Sequence, residues 1–450
     1  MKKSIALLFL CGLSLCAADD LGEWLKEGKV YGDIRYYYIE TAKETNGVNG
    51  TQYGSAIGGQ LGYTTGSLYG LKLGGTLMST NPLGLPNNPG SVETSVLARD
   101  NGVRLDGKPS GIHGDDGFSI LGEAYAQYNR DNYEIWYGRR VLQSPLFDAK
   151  DVRMLPSSMQ GGVVKVSLDS NIDVSAGYFD KFKQRTSNEF INIIKHALGT
   201  KTQAITGSDN GYMVPLVLSW KNNSLSVNIY DDYAPDFMNS LYADVTYKDK
   251  INNDYFYVAS VQGIVQDSVG HADNYLAANS LTYGGKINAQ VIAAKVALTR
   301  QETTVIVACS HVASNRGDHD SLVLPWDGTP LYTNMLTSNE LFSSDYGKAL
   351  TSDSAYIGGT TGVKFGVTQK FDFTGVQGFK GILEYAHYDS GRFPKAQEDI
   401  NAAIGYTKDK FSLDIKGIWV KNNTSAGDSG YNITQNQKFT QYRVIANYKF

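Results

Sequence analysis

Polar and apolar residues alternate with a period of two along much of the chain. Over residues 441–450 the even positions hold Tyr, Val, Ala, Tyr and Phe, and the odd positions hold Gln, Arg, Ile, Asn and Lys. Only extended strands sort residues onto two faces in this way. Near the other end of the chain, Ile34 and Tyr36 oppose Asp33 and Arg35 in the same manner. The pattern therefore predicts an all-β protein.

The alternating segments give about eighteen candidate strands, including one at 280–290 and one poorly bounded strand at 292–312. Tight connections such as 129–132 and 408–410 alternate with long ones such as 80–117, 314–355 and 421–437. This arrangement is typical of a transmembrane antiparallel β-barrel with short periplasmic turns and long extracellular loops. Alternation alone also fits a soluble sandwich, in which the apolar face would point inward. Small residues and aromatic strand ends favour the membrane form.

The N-terminus predicts export. Lys2 and Lys3 precede the apolar stretch 5–15, and small residues follow up to Ala18. We interpret residues 1–18 as a signal peptide and residues 19–450 as a single outer-membrane barrel domain. A strand that ends in Phe450 resembles the C-terminal strand of outer-membrane barrels. In those proteins the terminal aromatic residue is part of what the barrel-assembly machinery recognises.

Composition agrees with this class of protein. The 450 residues include 48 Gly and 30 Tyr, and 19% are charged, which excludes a bundle of apolar membrane helices. The 41 basic and 45 acidic residues give no support for nucleic-acid binding. Cys309 is the one cysteine beyond the signal peptide, so no internal disulfide is expected. We expect no cofactor and no metal, and we interpret His319 with its flanking carboxylates as part of a solvated external loop.

A barrel of this size needs a constriction if passage is to be selective, because side chains cannot fill it. Residues 141–161 follow a predicted strand and contain Pro145 and Pro156, so we predict an infolded constriction loop. The charged candidates for the constriction, in this loop or directly before it, are Arg139, Arg140, Asp148, Lys150, Asp151 and Arg153. Opposed charges across a narrow wet pore would orient a zwitterion or a carboxylate. Alternatively, these charges pair with one another and only fix the loop.

The predicted loop and the strand before it contain Tyr137-Gly138-Arg139, Ser144-Pro145-Leu146, Asp151-Val152-Arg153-Met154-Leu155-Pro156 and Gln160-Gly161, and the stretch LPWDGTPLYT lies at 324–333. These segments resemble motifs of OprD-type porins. The resemblance implies an 18-stranded outer-membrane channel with an arginine-rich wall and an inward third loop. It also implies uptake of small carboxylate-bearing solutes, including amino acids. The motif match assigns Arg139, Asp151 and Arg153 to the constriction, whereas Arg140 stands where the family often has Gln.

Strand parity predicts further charges on the lumen side. They are Asp33, Arg35, Lys165, Glu384, Lys416 and Arg443. Because both signs occur, parity does not predict a strong preference for anions.

These observations predict an outer-membrane porin, a passive or substrate-selective diffusion channel without catalytic residues. Expected partners are the bilayer and lipopolysaccharide, the assembly machinery and small solutes, and a homo-oligomer is compatible with the sequence. One alternative is a lipase-like barrel enzyme, for which His387 is the credible catalytic residue because it shares a face with Leu383 and Tyr385. No serine is identifiably paired with it. The other alternative is an adhesin or secreted β-protein that binds through its long loops.

Overall fold

The computed structural model describes residues 18–45, 48–85, 87, 94, 96–98, 107–109, 116–149, 153–336, 354–393, 395–426 and 433–450. The predicted signal peptide lies outside these residues except for Ala18, which begins a helix that ends at Lys26. The strands are β1 (Lys29–Thr45), β2 (Val48–Thr64), β3 (Leu71–Asn81), β4 (Phe118–Arg130), β5 (Tyr133–Arg140), β6 (Ser158–Ser167), β7 (Ile172–Lys183), β8 (Ile191–Asn192), β9 (Val214–Lys221), β10 (Leu225–Ala234), β11 (Met238–Lys250), β12 (Tyr255–Ser268), β13 (Asn288–Arg300), β14 (Thr303–Val312), β15 (Thr361–Lys370), β16 (Phe379–Asp389), β17 (Gln397–Lys408), β18 (Phe411–Ala426) and β19 (Ile433–Lys449).

All strands except β8 form one closed ring. Each pairs antiparallel with its sequence neighbours, and β1 pairs with both β2 and β19, with Asp33 opposite Lys449. Strand β8 has two residues and pairs with the end of β7, while β7 pairs with β9 to continue the ring. Within the described residues the barrel therefore has eighteen strands. No helix in these ranges is long and apolar enough to cross a membrane.

The two faces of the strands differ as the alternation predicts. Ile34 is 58% exposed and Ile404 is 60% exposed. The polar side chains of Asp33 and Arg35, on either side of Ile34, are buried. Arg443 on the adjacent strand is 1% exposed. Apolar side chains therefore point outward, as a lipid-facing surface requires, and polar side chains point into the barrel.

The two ends of the barrel are unequal. At the short-turn end, tight turns contain Asp131, Gln301 and Asp409, which all have left-handed backbone conformations with φ between 50° and 52°. At this end the Phe450 N–H donates to the carbonyl of Gly32 at 3.1 Å. At the long-loop end, the longest connections span 82–117, 184–213, 269–287 and 313–360, whereas residues 235–237 alone join β10 to β11 there. Short turns at one end and long loops at the other confirm the predicted pattern.

The strand predictions were wrong in two regions. Helices Gly270–Ala278 and Ser280–Tyr283 occupy much of the predicted strand 280–290, and β13 begins at Asn288. The predicted strand 292–312 is two strands, β13 and β14, joined at residues 301–302. The apolar phase changes near Val291 and Ile292, which fits a turn or a bulge, but the strand continues there and the turn lies in the polar stretch around Gln301. The predicted loop 421–437 is also shorter, because β18 extends to Ala426 and β19 begins at Ile433.

Candidate functional site

The connection between β5 and β6 folds into the barrel. Phe147 is 6% exposed and packs with Trp136 and Phe179, while Leu155 is 1% exposed and packs with Tyr37 of β1. These partners lie on the inward faces of different parts of the ring. Residues 141–157, named here the constriction loop, therefore reach across the lumen. Residues 158–161 of the predicted loop belong to β6 instead.

A second segment, residues 321–336, named here the inner segment, lies along the inward face of β12. The side-chain amide of Gln266 donates to the carbonyl of Val323 at 2.9 Å and accepts from its N–H at 2.8 Å. Gln262 makes the same paired contact, donating to Pro330 at 2.9 Å and accepting from the N–H of Tyr332 at 3.1 Å. Two lumen-facing glutamines thus replace the strand partners that this irregular backbone lacks.

Asp327 joins the inner segment to the constriction loop. Its carboxylate accepts a hydrogen bond from the Ser157 hydroxyl at 2.8 Å and lies 3.9 Å from the Arg185 guanidinium. The Asp327 and Arg185 side chains are each 6% exposed. The backbone of Asp327 forms an isolated β-bridge with Phe147 and has a left-handed φ of 66°. This buried carboxylate therefore joins the inner segment to the constriction loop and to loop 184–213. We name this set of contacts the Asp327 junction.

Residues of loop 184–213 and the end of β7 complete the Asp327 junction. The Trp326 indole donates to the carbonyl of Ile193 at 3.1 Å, and the Lys183 ammonium donates to the carbonyl of Pro156 at 2.8 Å. Burial lowers the pKa of His196 to about 4, against an opposing contribution from Asp327. His196 is therefore neutral at pH 7, and the junction packs as a largely dehydrated unit.

A group of cations lies where the constriction loop meets β1 and β19. The Arg35 guanidinium donates to the carbonyl of Arg153 at 2.7 Å, and Arg153 Nε donates to the carbonyl of Thr94 at 2.8 Å. Arg443 of β19 faces the lumen beside Lys416 of β18, its partner in the register. We name Arg35, Arg153, Lys416 and Arg443 the basic cluster. Asp33 supplies a nearby anion, with 3.6 Å between its carboxylate and Arg35 Nε.

The wall formed by β13, β15 and β16 carries charges of both signs. The Lys364 ammonium lies 3.5 Å from the Glu384 carboxylate and donates to the carbonyl of Asn334 at 2.6 Å. The Lys295 ammonium lies 4.3 Å from the centre of the Tyr332 ring. These groups therefore fix the inner segment against the wall.

The predicted constriction residues take different positions. Arg140 points inward, where its guanidinium lies 4.4 Å from the Tyr125 ring centre. The position of Arg139 contradicts its predicted place in the constriction. Because faces alternate along β5, Arg139 lies on the outer face with Tyr137, which is 65% exposed, and its guanidinium lies 4.4 Å from the Phe190 ring centre. The backbone N–H of Asp148 donates to the carbonyl of Trp326 at 3.1 Å.

The remaining predicted residues divide into three groups. Lys150 and Asp151 lie outside the described residues. Lys165 is inward, but it pairs with Asp173 at 3.0 Å in a partly exposed ion pair beside the tight turn 168–171. Phe450 is exposed on the outer face beside Gly32, and its role in assembly stays a prediction.

Reasoning from the sequence missed the residues that hold the loops in place. Asp327 was part of a recognised motif but was not assigned a role, and Arg185 lay in an unassigned loop. His319 was predicted to be solvated but is 1% exposed, and burial lowers its pKa to about 4. No local pattern distinguishes these residues, because their partners are distant in sequence. For Gln262 and Gln266 the sequence does give a signal, because the alternation along β12 places both side chains in the lumen.

Comparison with known proteins agrees with this geometry. Residues 23–349 match the family model described as outer membrane porin, OprD family. The structure is similar to that of Pseudomonas aeruginosa OccK9 (OpdG), with 16% identity, a TM-score of 0.71, and coverage of 95% of this chain and 99% of that chain. P. aeruginosa OpdK with vanillate shows 15% identity and a TM-score of 0.67 over the same shares of the two chains.

Acinetobacter baumannii OccAB2 is similar as well, with 14% identity and a TM-score of 0.68 over 95% of this chain and 99% of that chain. A comparison with curated proteins finds no match. At these identities the solved structures establish the barrel fold, and the family model covers well over half of the chain. The protein therefore belongs to the OprD family of outer membrane porins.

Proposed function

We propose that this porin selects small solutes that carry a carboxylate, and that the basic cluster provides the selectivity. The observation that supports this most directly is the position of Lys416. Among the described residues, its ammonium has no hydrogen-bond partner, and it faces the lumen next to the buried Arg443. A passing carboxylate therefore finds an available donor where the constriction loop narrows the barrel.

The strength of this preference follows from Coulomb's law. One unit charge about 7 Å from a solute carboxylate, at an effective dielectric constant of about 40, contributes about 1 kcal/mol. That energy raises the local concentration of the anion about fivefold. Cations that line a narrow wet passage act additively on the encounter. OpdK with vanillate and P. aeruginosa OccK2 (OpdF) with glucuronate, both carboxylates, are consistent with such a site.

The test compares Lys416→Gln with Lys165→Gln. Both residues point inward, but Lys165 belongs to a partly exposed ion pair with Asp173. We expect Lys416→Gln to reduce anion preference, measured from the reversal potential across a KCl gradient, and to slow glucuronate uptake about fivefold in liposome swelling. Uptake of glucose, which is neutral, should change little. Equal effects of the two variants, or equal slowing of both solutes, would contradict the proposal.

We also propose that the protein has no catalytic function. His387 lies on the outer face as its parity predicts, and its cross-strand neighbours are Val363 and Glu398. Neither neighbour is the serine that a lipase would need, so these pairings give the lipase alternative no support. Detergent-solubilised protein should therefore release no fatty acid from phospholipid. Cleavage of the signal peptide, recognition of Phe450 by the assembly machinery and a homo-oligomeric state remain proposals from the sequence.

A further inference from the structure

A polar pocket opens on the outer face of the barrel at the long-loop end. It lies between the end of β7 and loop 184–213 and has a volume of about 450 Å³. Its lining includes Tyr178, Lys181, Phe190, Lys195 and Tyr212. None of these residues belongs to the constriction loop, the inner segment or the basic cluster. The pocket therefore has no part in the solute path described above.

Strand parity places this pocket at the membrane surface. Val174 and Tyr178 of β7 share the outward face and are 38% and 46% exposed. Tyr212 is 39% exposed, and its ring centre lies 5.1 Å from that of Tyr178. Tyrosines on the outer face of a barrel, at the end of its apolar band, occupy the level of the lipid headgroups. Because the long loops are extracellular, these headgroups belong to the outer leaflet.

The charges around the pocket are mostly positive. Lys108, Lys181 and Lys195 line it together with one carboxylate, that of Asp180. Lys195 also lies 3.9 Å from Asp209, a side chain that is 67% exposed. Among the described residues, the Lys181 ammonium has no hydrogen-bond or ion-pair partner.

Arg139 adds a further cation at the edge of the pocket. Its guanidinium lies 4.4 Å from the centre of the Phe190 ring, which is part of the lining. A cation at the headgroup level beside an apolar surface is stabilised by an anionic lipid group. Phosphate fits this need, because it accepts several charge-assisted hydrogen bonds at once. The aromatic rings of Tyr178, Phe190 and Tyr212 provide apolar surface next to the same cations, where an acyl chain or sugar can pack.

We propose that this pocket binds the phosphate group of an outer-leaflet glycolipid, the lipid A part of lipopolysaccharide, with Lys181 and Lys195 as its principal cations. The inference does not depend on which solute the channel carries. It also gives a place to Arg139, whose outward position excludes it from the constriction.

Binding of lipid A to the full-length porin in detergent micelles tests the proposal. The probes are bisphosphorylated lipid A, dephosphorylated lipid A and inorganic phosphate, with bound lipid counted by native mass spectrometry. The variant Lys181→Ala/Lys195→Ala should weaken the binding of bisphosphorylated lipid A about tenfold or more. The charge-conserving variant Lys181→Arg/Lys195→Arg should retain it.

The matched control is Lys221→Ala/Lys248→Ala, which removes two exposed lysines near the short-turn end. This variant should bind lipid A as the unmodified protein does. Dephosphorylated lipid A should bind at least tenfold more weakly. Equal affinity of the two lipids, or equal loss in the control variant, would overturn the proposal. Displacement of bound lipid A by millimolar inorganic phosphate would identify a site for free anions rather than for a lipid. That result would also overturn the proposal.

Discussion

Replacement of Asp327 by Asn tests whether one buried carboxylate keeps the constriction loop in place. Asn has nearly the same shape, tolerates the left-handed backbone at this position and can still accept a hydrogen bond from Ser157. The variant therefore removes the charge and little else. Arg185, whose side chain is 6% exposed, would then be left as a buried cation without the Asp327 carboxylate.

The expected magnitude follows from burial and distance. Removing one member of a buried ion pair typically costs about 3–5 kcal/mol. The separation of 3.9 Å is at the long end for an ion pair, and Asn retains part of the contact with Ser157. We therefore expect the packed position of the loop to be destabilised by about 2 kcal/mol, which raises the population of a displaced loop about thirtyfold.

Single-channel recording in a planar bilayer measures this population as open-channel noise and as transitions between current levels. The matched control is Asp236→Asn, because Asp236 is an exposed residue with a similar φ of 57°. We expect more frequent transitions and a broader distribution of conductance in Asp327→Asn, and unchanged currents in the control. Correct folding is checked by the shift of the barrel on gels before and after heating. A folded Asp327→Asn channel with the same open-channel noise as the unmodified protein would show that Asp327 does not hold the loop in place.

Two further predictions concern the same packed connections. Gly328→Ala should lower single-channel conductance or alter its noise, because a β-carbon there would clash with the Leu146 carbonyl oxygen, and the backbone of the constriction loop would have to move. Normal currents would contradict this contact. Acidification should loosen the loops, because burial lowers the pKa values of His196 and His319 to about 4, below the ordinary value of 6.5. The folded loops bind fewer protons than the unfolded chain, so their stability is complete above about pH 6.5 and falls by about 1.4 kcal/mol per pH unit for each histidine down to about pH 4. Proteolysis of the external loops at pH 7 and pH 5 measures the effect, and the variants His196→Gln and His319→Gln should reduce the difference.

The barrel could be predicted from the sequence because the alternation of polar and apolar residues is visible among close neighbours in the chain. A strand between lipid and water must alternate, and Ile34 with Asp33 and Arg35 shows this within three residues. Prediction was less successful where alternation and turn chemistry disagreed. At Val291 the apolar phase changes although the strand continues, whereas the polar residues around Gln301 make the turn. A long apolar stretch cannot be divided into two strands by periodicity alone.

The constriction could be predicted only in part, for a different reason. Its position followed from the prolines and charges between two strands, but its contacts depend on where distant connections meet inside the ring. Asp327 and Ser157 are separated by 170 residues, and nothing near either residue indicates the other. Arg139 shows the opposite case. The motif match assigns it to the constriction, whereas the structure places it on the outer face with the exposed Tyr137.

A polar side chain that the alternation places on the inner face of the barrel therefore does not always line the pore. Gln262 and Gln266 face the lumen, yet each amide both donates to and accepts from the backbone of the inner segment. Glu384 likewise contacts Lys364 and the N–H of Leu336. A polar group satisfied by main-chain partners has little left to offer a solute, since exchanging those hydrogen bonds gains nothing. Selectivity should then depend on inward charges without such partners. For this reason the neutralisation of Lys416 is expected to change ion preference more than that of a paired inward charge such as Lys364.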